Sequence, residues 1–181
     1  MEIIGQYTLW EPPHKISDFG TQYWYKDGKC HRVGGPAIIY VHGNKYWYND
    51  GKKHRDDGPA IVLSSGGKYW FKDGKRHRDD GPAIILSNGG QYWYKDGKKH
   101  REDGPAVIYA DDTQYWYKEG RLHSDDGPAI ILSDGTQYWY KDEIDIANDV
   151  YTWTKQCGID LDNISDGDKL LLKIFINSLE I

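Results

Sequence analysis

Short aromatic and aliphatic segments alternate with polar, glycine-rich turns along most of the chain, and the alternation has a fixed step. Trp24, Trp47, Trp70, Trp93, Trp116 and Trp139 are each 23 residues from the next, and Pro36, Pro59, Pro82, Pro105 and Pro128 keep the same step. So do His31, His54, His77, His100 and His123. Such spacing is the signature of a repeat architecture: five full units cover 20–134 and a sixth begins at Gly135. The unit reads roughly G-x-Q/K-Y-W-Y-K-D-G-K-x-H-R-x-D-G-P-A-I-I-x-x-x.

Within one unit, Lys45-Tyr46-Trp47-Tyr48 is rich in strand formers, and Asp50-Gly51 is a two-residue type I′ hairpin signal. Pairing across that turn sets Asn49 opposite Lys52, Tyr48 opposite Lys53, Trp47 opposite His54 and Tyr46 opposite Arg55, so that Trp and His share a face. In Asp56-Asp57-Gly58-Pro59 the Gly and Pro forbid an ordinary central ladder and predict a bend or bulge. Ala60-Ile61-Val62-Leu63 resumes as strand, and the polar loop Ser64-Ser65-Gly66-Gly67 leads to the next unit.

The pattern predicts a mainly β protein: tandem 23-residue β-hairpin repeats in an elongated, twisted antiparallel meander with about two strands per unit. At about 4.8 Å per strand the array runs on the order of 50 Å, each unit touching chiefly its neighbours. Such arrays need capped ends. Only Pro13 and Ile16 keep the register near the start, so residues 1–19 read as a degraded half-repeat, followed by the array over 20–142. Residues 143–181 read as a small two-helix cap. There Ile146, Val150, Trp153 and Cys157 recur at helical spacing, Gly158 fits a stop, and Ser165-Asp166-Gly167-Asp168 resembles a capping box. Lys169–Leu179, with Leu170, Leu171, Ile174 and Phe175, reads as the second amphipathic helix.

Composition sharpens this picture. Eight Trp and fifteen Tyr in 181 residues put the apolar area into large rings, so a thin structure can still bury enough to fold. Cys30 and Cys157 are distant and unmotivated by any paired motif, which reads as free thiols in a reducing compartment. No apolar run approaches the roughly 18 residues of a membrane span, and the start lacks signal-peptide features, so the expected place is the cytoplasm, the host's if the protein is viral. The net charge of −5 argues against general nucleic-acid binding. The charge is uneven, however. Residues 20–88 carry twelve Lys/Arg against seven Asp, and residues 112–181 carry six against fourteen Asp/Glu.

The Tyr-x-Tyr-Lys-Asp-Gly-Lys hairpin within a 23-residue unit resembles the MORN repeat, the membrane occupation and recognition nexus motif, over about 20–142. MORN units carry glycines a few residues after the turn; here Arg55 and Asp57 stand there and the glycine is displaced to Gly58-Pro59. The His-Arg-x-Asp-Gly-Pro-Ala version is similar to a variant found in proteins of large DNA viruses and tailed phages. The resemblance implies a MORN-like sheet and a viral origin, and constrains activity little.

Catalysis needs an asymmetric convergence of groups, whereas this sequence supplies the same groups five times, and it contains no GxSxG, HExxH, Walker A or GxGxxG motif. The expectation is therefore a non-enzymatic protein with no cofactor and no metal. The His column reads as the partner of the Trp ladder, because residues about 10 Å apart cannot share one zinc ion. The Asp-Asp-Gly-Pro corners read as turn caps paired to the neighbouring Arg. On the face opposite Trp47 and His54, Tyr46, Tyr48 and Arg55 are expected to project together, repeated by Tyr69, Phe71 and Arg78 and by Tyr92, Tyr94 and Arg101. Tyr and Arg dominate protein-binding hot spots. The expected function is a repeat-built surface that binds a protein, a viral factor docking on and blocking a host (defence) protein. The alternatives are a sponge for a small anionic ligand such as a signalling nucleotide, motivated by the basic stretch, and a homo-oligomeric scaffold joined through its basic and acidic ends.

Overall fold

The Asp-Gly turns set the local path. Asp50 and Gly51 have φ of 45° and 81°, the two positive values a type I′ turn demands. Across the turn Asn49 faces Lys52 and Tyr48 faces Lys53, as the sequence predicts. The computed structural model describes residues 13–180 and divides into two compact units, 1–76 and 77–181, taken here in turn.

In the first unit each hairpin ladder ends at the tryptophan. The Trp47 carbonyl still accepts from the His54 N–H at 3.2 Å, but its own N–H donates to Ala60 O at 2.8 Å. Serving partners on two sides bends the chain there. Tyr46 consequently does not face Arg55; it pairs with Ile38 on one side and Ile61 on the other. The Arg55 N–H instead donates to Phe71 O of the following hairpin at 3.3 Å. A repeat therefore holds four two-residue strands rather than two longer ones. Lys15–Ile16, Gln22–Tyr23, Ile38–Ile39, Lys45–Tyr46, Ile61–Val62 and Lys68–Tyr69 form the antiparallel meander in that order. Tyr25–Lys26 with Lys29–Cys30, Tyr48–Asn49 with Lys52–Lys53, and Phe71–Lys72 with Lys75–Arg76 form the hairpins. Successive hairpins are joined by Gly51 N–H to Cys30 O and Gly74 N–H to Lys53 O, both 2.9 Å. Lys15–Ile16 pairs with Gln22–Tyr23 as the Ile strands do, giving a half-repeat at the start; residues 1–12 of the expected N-terminal cap lie outside the described part.

The second unit repeats the plan with Ile84–Ile85, Gln91–Tyr92, Val107–Ile108, Gln114–Tyr115, Ile130–Ile131 and Gln137–Tyr138 in the meander. It ends in two helices, α1 (Ala147–Cys157) and α2 (Asp166–Ser178). Gly158 stops α1 in the left-handed conformation, and Ser165 Oγ caps α2 by accepting from the Asp168 N–H, both as the sequence predicts. Trp139, Ile146, Val150, Leu172 and Ile176 form the cap's core, with Trp153 stacked on Phe175 at 4.7 Å. The Lys141 ammonium donates to Ile176 O and Leu179 O at the α2 C-terminus, where a cation also meets the helix dipole. One expectation fails: Leu170, Leu171 and Ile174 are exposed, and α2 turns Leu172, Phe175, Ile176 and Leu179 toward the core instead. Cys157 is exposed as well, and Thr154 takes the buried position on α1.

The fold is thus mainly β, tandem hairpin repeats in an antiparallel meander followed by two C-terminal helices. In each unit the thin core is a column of small residues: Ala37 and Ala60 in the first and Ala83, Ala106 and Ala129 in the second are each 0% exposed, flanked by Ile38 and Ile61 and by Ile84 and Val107. Alanine follows from the close pass of the Trp N–H onto the Ala carbonyl. Ala60→Leu is accordingly expected to overpack this column and cost about 1–3 kcal/mol, read as a lower urea midpoint. Ala110→Leu, at an exposed loop position, should leave the midpoint unmoved.

Candidate functional site

Between successive hairpins the repeat builds a groove around an arginine. The Arg55 guanidinium carbon sits 4.2 Å over the Trp47 ring, with Arg32 at 3.8 Å over Trp24 and Arg101 at 4.1 Å over Trp93. The other side of the same guanidinium is closed by the glycine before proline. A Cβ at Gly35, Gly58, Gly81 or Gly104 would come within 3.2–3.4 Å of that arginine carbon, which is why the Asp-Gly-Pro corner carries glycine. Arg55 Nε and Arg78 Nε donate to Asp57 and Asp80 at 2.8 Å, and hydrogen bonds from these guanidiniums, then their charge, hold both carboxyls below the usual range. Arg32, Arg78 and Arg101 also reach the carbonyls of Pro36, Pro82 and Pro105. The Asp–Arg pairing at the corners matches the sequence reading. Arg55 itself does not: expected on the face opposite Trp47, it stacks on that ring.

The histidines join one hairpin to the next. His54 Nδ1 accepts from the Asp73 N–H at 3.1 Å, and the same bond runs from Asp50, Asp96, Glu119 and Asp142 to His31, His77, His100 and His123. A backbone N–H only donates, so the neutral ring carries its proton on Nε2, which meets Asp56 at 3.1 Å. His77, His100 and His123 make the corresponding bond to Asp79, Glu102 and Asp125. Asp73 Oδ1 also lies 3.0 Å from His54 Nδ1, an acceptor for that nitrogen when the ring is protonated. Each His thus adjoins its Trp through the backbone, while its ring reaches the following turn. Among the described residues no three His, Cys, Asp or Glu side chains group closely enough to hold a metal ion.

Such grooves are open among the described residues. One of 410 Å³ is lined by His31, Arg32, Trp47, Tyr48, His54, Arg55, Asp56 and Asp57 among others. One of 500 Å³ runs from Arg78, Asp79 and Asp80 to Trp93, Tyr94, His100 and Arg101. The third, of 450 Å³, joins Arg101, Glu102 and Asp103 to Trp116, Tyr117, Lys118, His123, Ser124, Asp125, Asp126 and Lys173. Of the residues expected to form the binding face, Tyr48, Tyr94, Arg55, Arg78 and Arg101 line these grooves. Tyr46, Tyr69 and Tyr92 lie in the meander, where Tyr46 packs edge-on to Tyr40 at 5.2 Å and Tyr92 to Tyr109 at 5.8 Å. Phe71 is in a hairpin beneath the Lys53 ammonium at 5.2 Å. Burial pushes the phenols of Tyr48 and Tyr117 up, as expected for rings packed between hairpins.

The third groove departs from the others in a way the sequence already carries. Ser124 stands where the first four full units have arginine. Its N–H keeps the arginine's backbone bond, donating to Tyr140 O at 3.2 Å. Nothing lies within 4 Å of a Cβ built at Gly127, whereas the equivalent glycines touch their guanidinium. Lys118 donates to Asp125 at 3.0 Å. Burial raises the Asp125 carboxyl, but the hydrogen bonds from His123 and Lys118 outweigh it and hold the group below its ordinary value. Among the described residues no helix is long and apolar enough to cross a membrane.

Two substitutions test this construction. Gly58→Ala should displace Arg55 from Trp47 and cost about 1–3 kcal/mol, while Gly127→Ala, which meets open space, should stay within about 0.5 kcal/mol; urea midpoints compare them. His54→Ala leaves the Asp73 N–H to water in place of its acceptor, so hydrogen exchange at that amide should accelerate and stability should fall by about 0.5–1.5 kcal/mol. Comparison of the chain with protein-family models and with curated proteins finds no match.

Proposed function

We propose that the protein is a non-enzymatic binding protein whose ligand is another protein, received along the grooves between successive units. The observation that carries this reading is the groove series itself, in which tryptophan, tyrosine and paired charges recur at each step. Trp, Tyr and Arg anchors in half-open clefts are the composition of protein-binding hot spots. The arginines favour a protein over a small anion. Their guanidiniums are already engaged by indole, carboxylate and carbonyl groups, and each groove carries at least two carboxylates that would repel a phosphate. Repetition supports binding over catalysis, because equivalent clefts offer a partner several similar footholds and no single convergent set of reacting groups.

The likeness of the His-Arg-x-Asp-Gly-Pro-Ala unit to viral and phage MORN-like repeats adds the expectation that the partner is a host protein, blocked by docking in the cytoplasm. The test is affinity capture with the full chain, followed by native mass spectrometry of the recovered complex and a repeat with Tyr48→Ala and Tyr94→Ala. A stoichiometric protein partner whose affinity falls at least about tenfold in the double variant, a loss of roughly 1.4 kcal/mol, is the expected result. No recovered partner, or saturable binding of a nucleotide in place of one, contradicts the reading.

A further inference from the structure

The fifth repeat unit retains the other features of the arginine site and lacks the arginine. Trp116 keeps its place in the groove, Asp126 stands where Asp57 and Asp80 receive Arg55 and Arg78, and Gly127 and Pro128 repeat the corner that closes over the side chain elsewhere. Among the described residues no cation covers Trp116. No guanidinium among them refills the place, and only the exposed Lys173 ammonium reaches Asp126, at 3.5 Å. Ser124 is 3% exposed, yet its hydroxyl has no hydrogen-bond partner, and space is open above Gly127. A second cavity, of 180 Å³ and lined by Asp126, Gly127, Pro128 and Trp139 among others, adjoins the 450 Å³ groove at Asp126. Trp139 Nε1 is the other buried polar side-chain atom without a partner among the described residues. The two residues that carry these orphaned atoms line the adjoining cavities, Ser124 the larger and Trp139 the smaller. A buried hydroxyl and a buried indole N–H left unmade are costly in a finished interior and ordinary in a site that awaits a ligand.

We propose that this vacancy is the docking site for an arginine side chain of the protein partner, which supplies in trans the guanidinium that the other units supply from within. The inference rests on the protein-binding reading above and gives it a chemistry. The incoming guanidinium stacks on Trp116 and donates to the Asp126 carboxylate, at the position that Ser124 leaves without a guanidinium. The flat, five-donor fork suits this set, whereas a lysine ammonium satisfies only the charge. The groove's charge agrees: Glu102, Asp103, Asp125 and Asp126 face Arg101, Lys118 and Lys173, and Arg101 is itself committed to the Trp93 ring. Lys173 contacts Asp126 at 3.5 Å, but the two side chains are 48% and 62% exposed, so the lysine can swing aside at small cost.

The experiment follows the indole N–H signals of the full chain by NMR during titration with N-acetyl-arginine amide and with its lysine counterpart. The Trp116 signal should shift saturably with the arginine probe, at a Kd on the order of 1–50 mM for a single side chain. The lysine probe should bind at least about threefold more weakly. Asp126→Asn, an exposed change that spares the fold, should weaken the arginine probe about tenfold. Ser124→Arg should restore the internal guanidinium, abolish the Trp116 shift and raise the melting temperature. Equal shifts at Trp47, Trp93 and Trp116, equal affinity for the lysine probe, or undiminished binding by Asp126→Asn overturns the site. The two readings separate in the captured complex. If the partner binds Ser124→Arg and Asp126→Asn as tightly as the parent chain, this site fails and the binding protein stands. If the arginine probe saturates Trp116 but no protein partner exists, the site stands and that reading fails.

Discussion

The guanidinium of Arg55 lies 4.2 Å over the Trp47 ring and presses on Gly58 from the other side, with Nε tied to Asp57 at 2.8 Å. Much of the unit follows from accommodating that group. The indole must be presented at the bend where the hairpin meets the meander, the corner must be Gly-Pro, and the residue after proline must be small enough for the Trp N–H to reach its carbonyl. A single cation–π contact is worth about 0.5–2 kcal/mol. Repeated by Arg32 on Trp24 and by Arg101 on Trp93, it fixes the same geometry in those repeats.

Features governed by neighbouring residues were legible in the sequence. The Asp-Gly turn dictated positive φ at both positions, the facing of Tyr48 and Lys53 followed from it, and Ser165 and Gly158 marked helix ends where the helices in fact begin and stop. Features set by competition between partners were not. Tyr46 was expected opposite Arg55 because a hairpin ladder extrapolates past Trp47; nothing local reveals that the Trp47 N–H prefers Ala60 O. The α2 helix carries apolar residues around much of its circumference, so spacing alone could not decide that Leu172 and Ile176 would be covered while Leu170, Leu171 and Ile174 would not. The histidines looked like ring partners of tryptophan, yet their reach is to a turn 19 residues on, a contact visible only once hairpins stack.

In the proposed reading, function turns on where the repetition breaks. Identical grooves give a surface breadth without giving it a unique point of engagement. The proposed site at Ser124 would supply one, and the break was present in the sequence as the single full unit in which arginine does not follow histidine. The break coincides with the approach to the helical cap, whose Leu172 and Ile176 cover Trp139 to 2% exposure. The cap thus seals the last unit in place of an arginine, while the unit before it keeps a tryptophan, an acid and a glycine corner without their guanidinium.

Where arginine follows histidine, arginine and tryptophan hold the repeat together as a pair. A double-mutant cycle on Trp47 and Arg55, with Trp47→Leu, Arg55→Met and the combination compared by urea denaturation, measures that pairing directly. The expected coupling energy is about 0.5–2 kcal/mol. Additivity of the two single changes to within about 0.3 kcal/mol would contradict it.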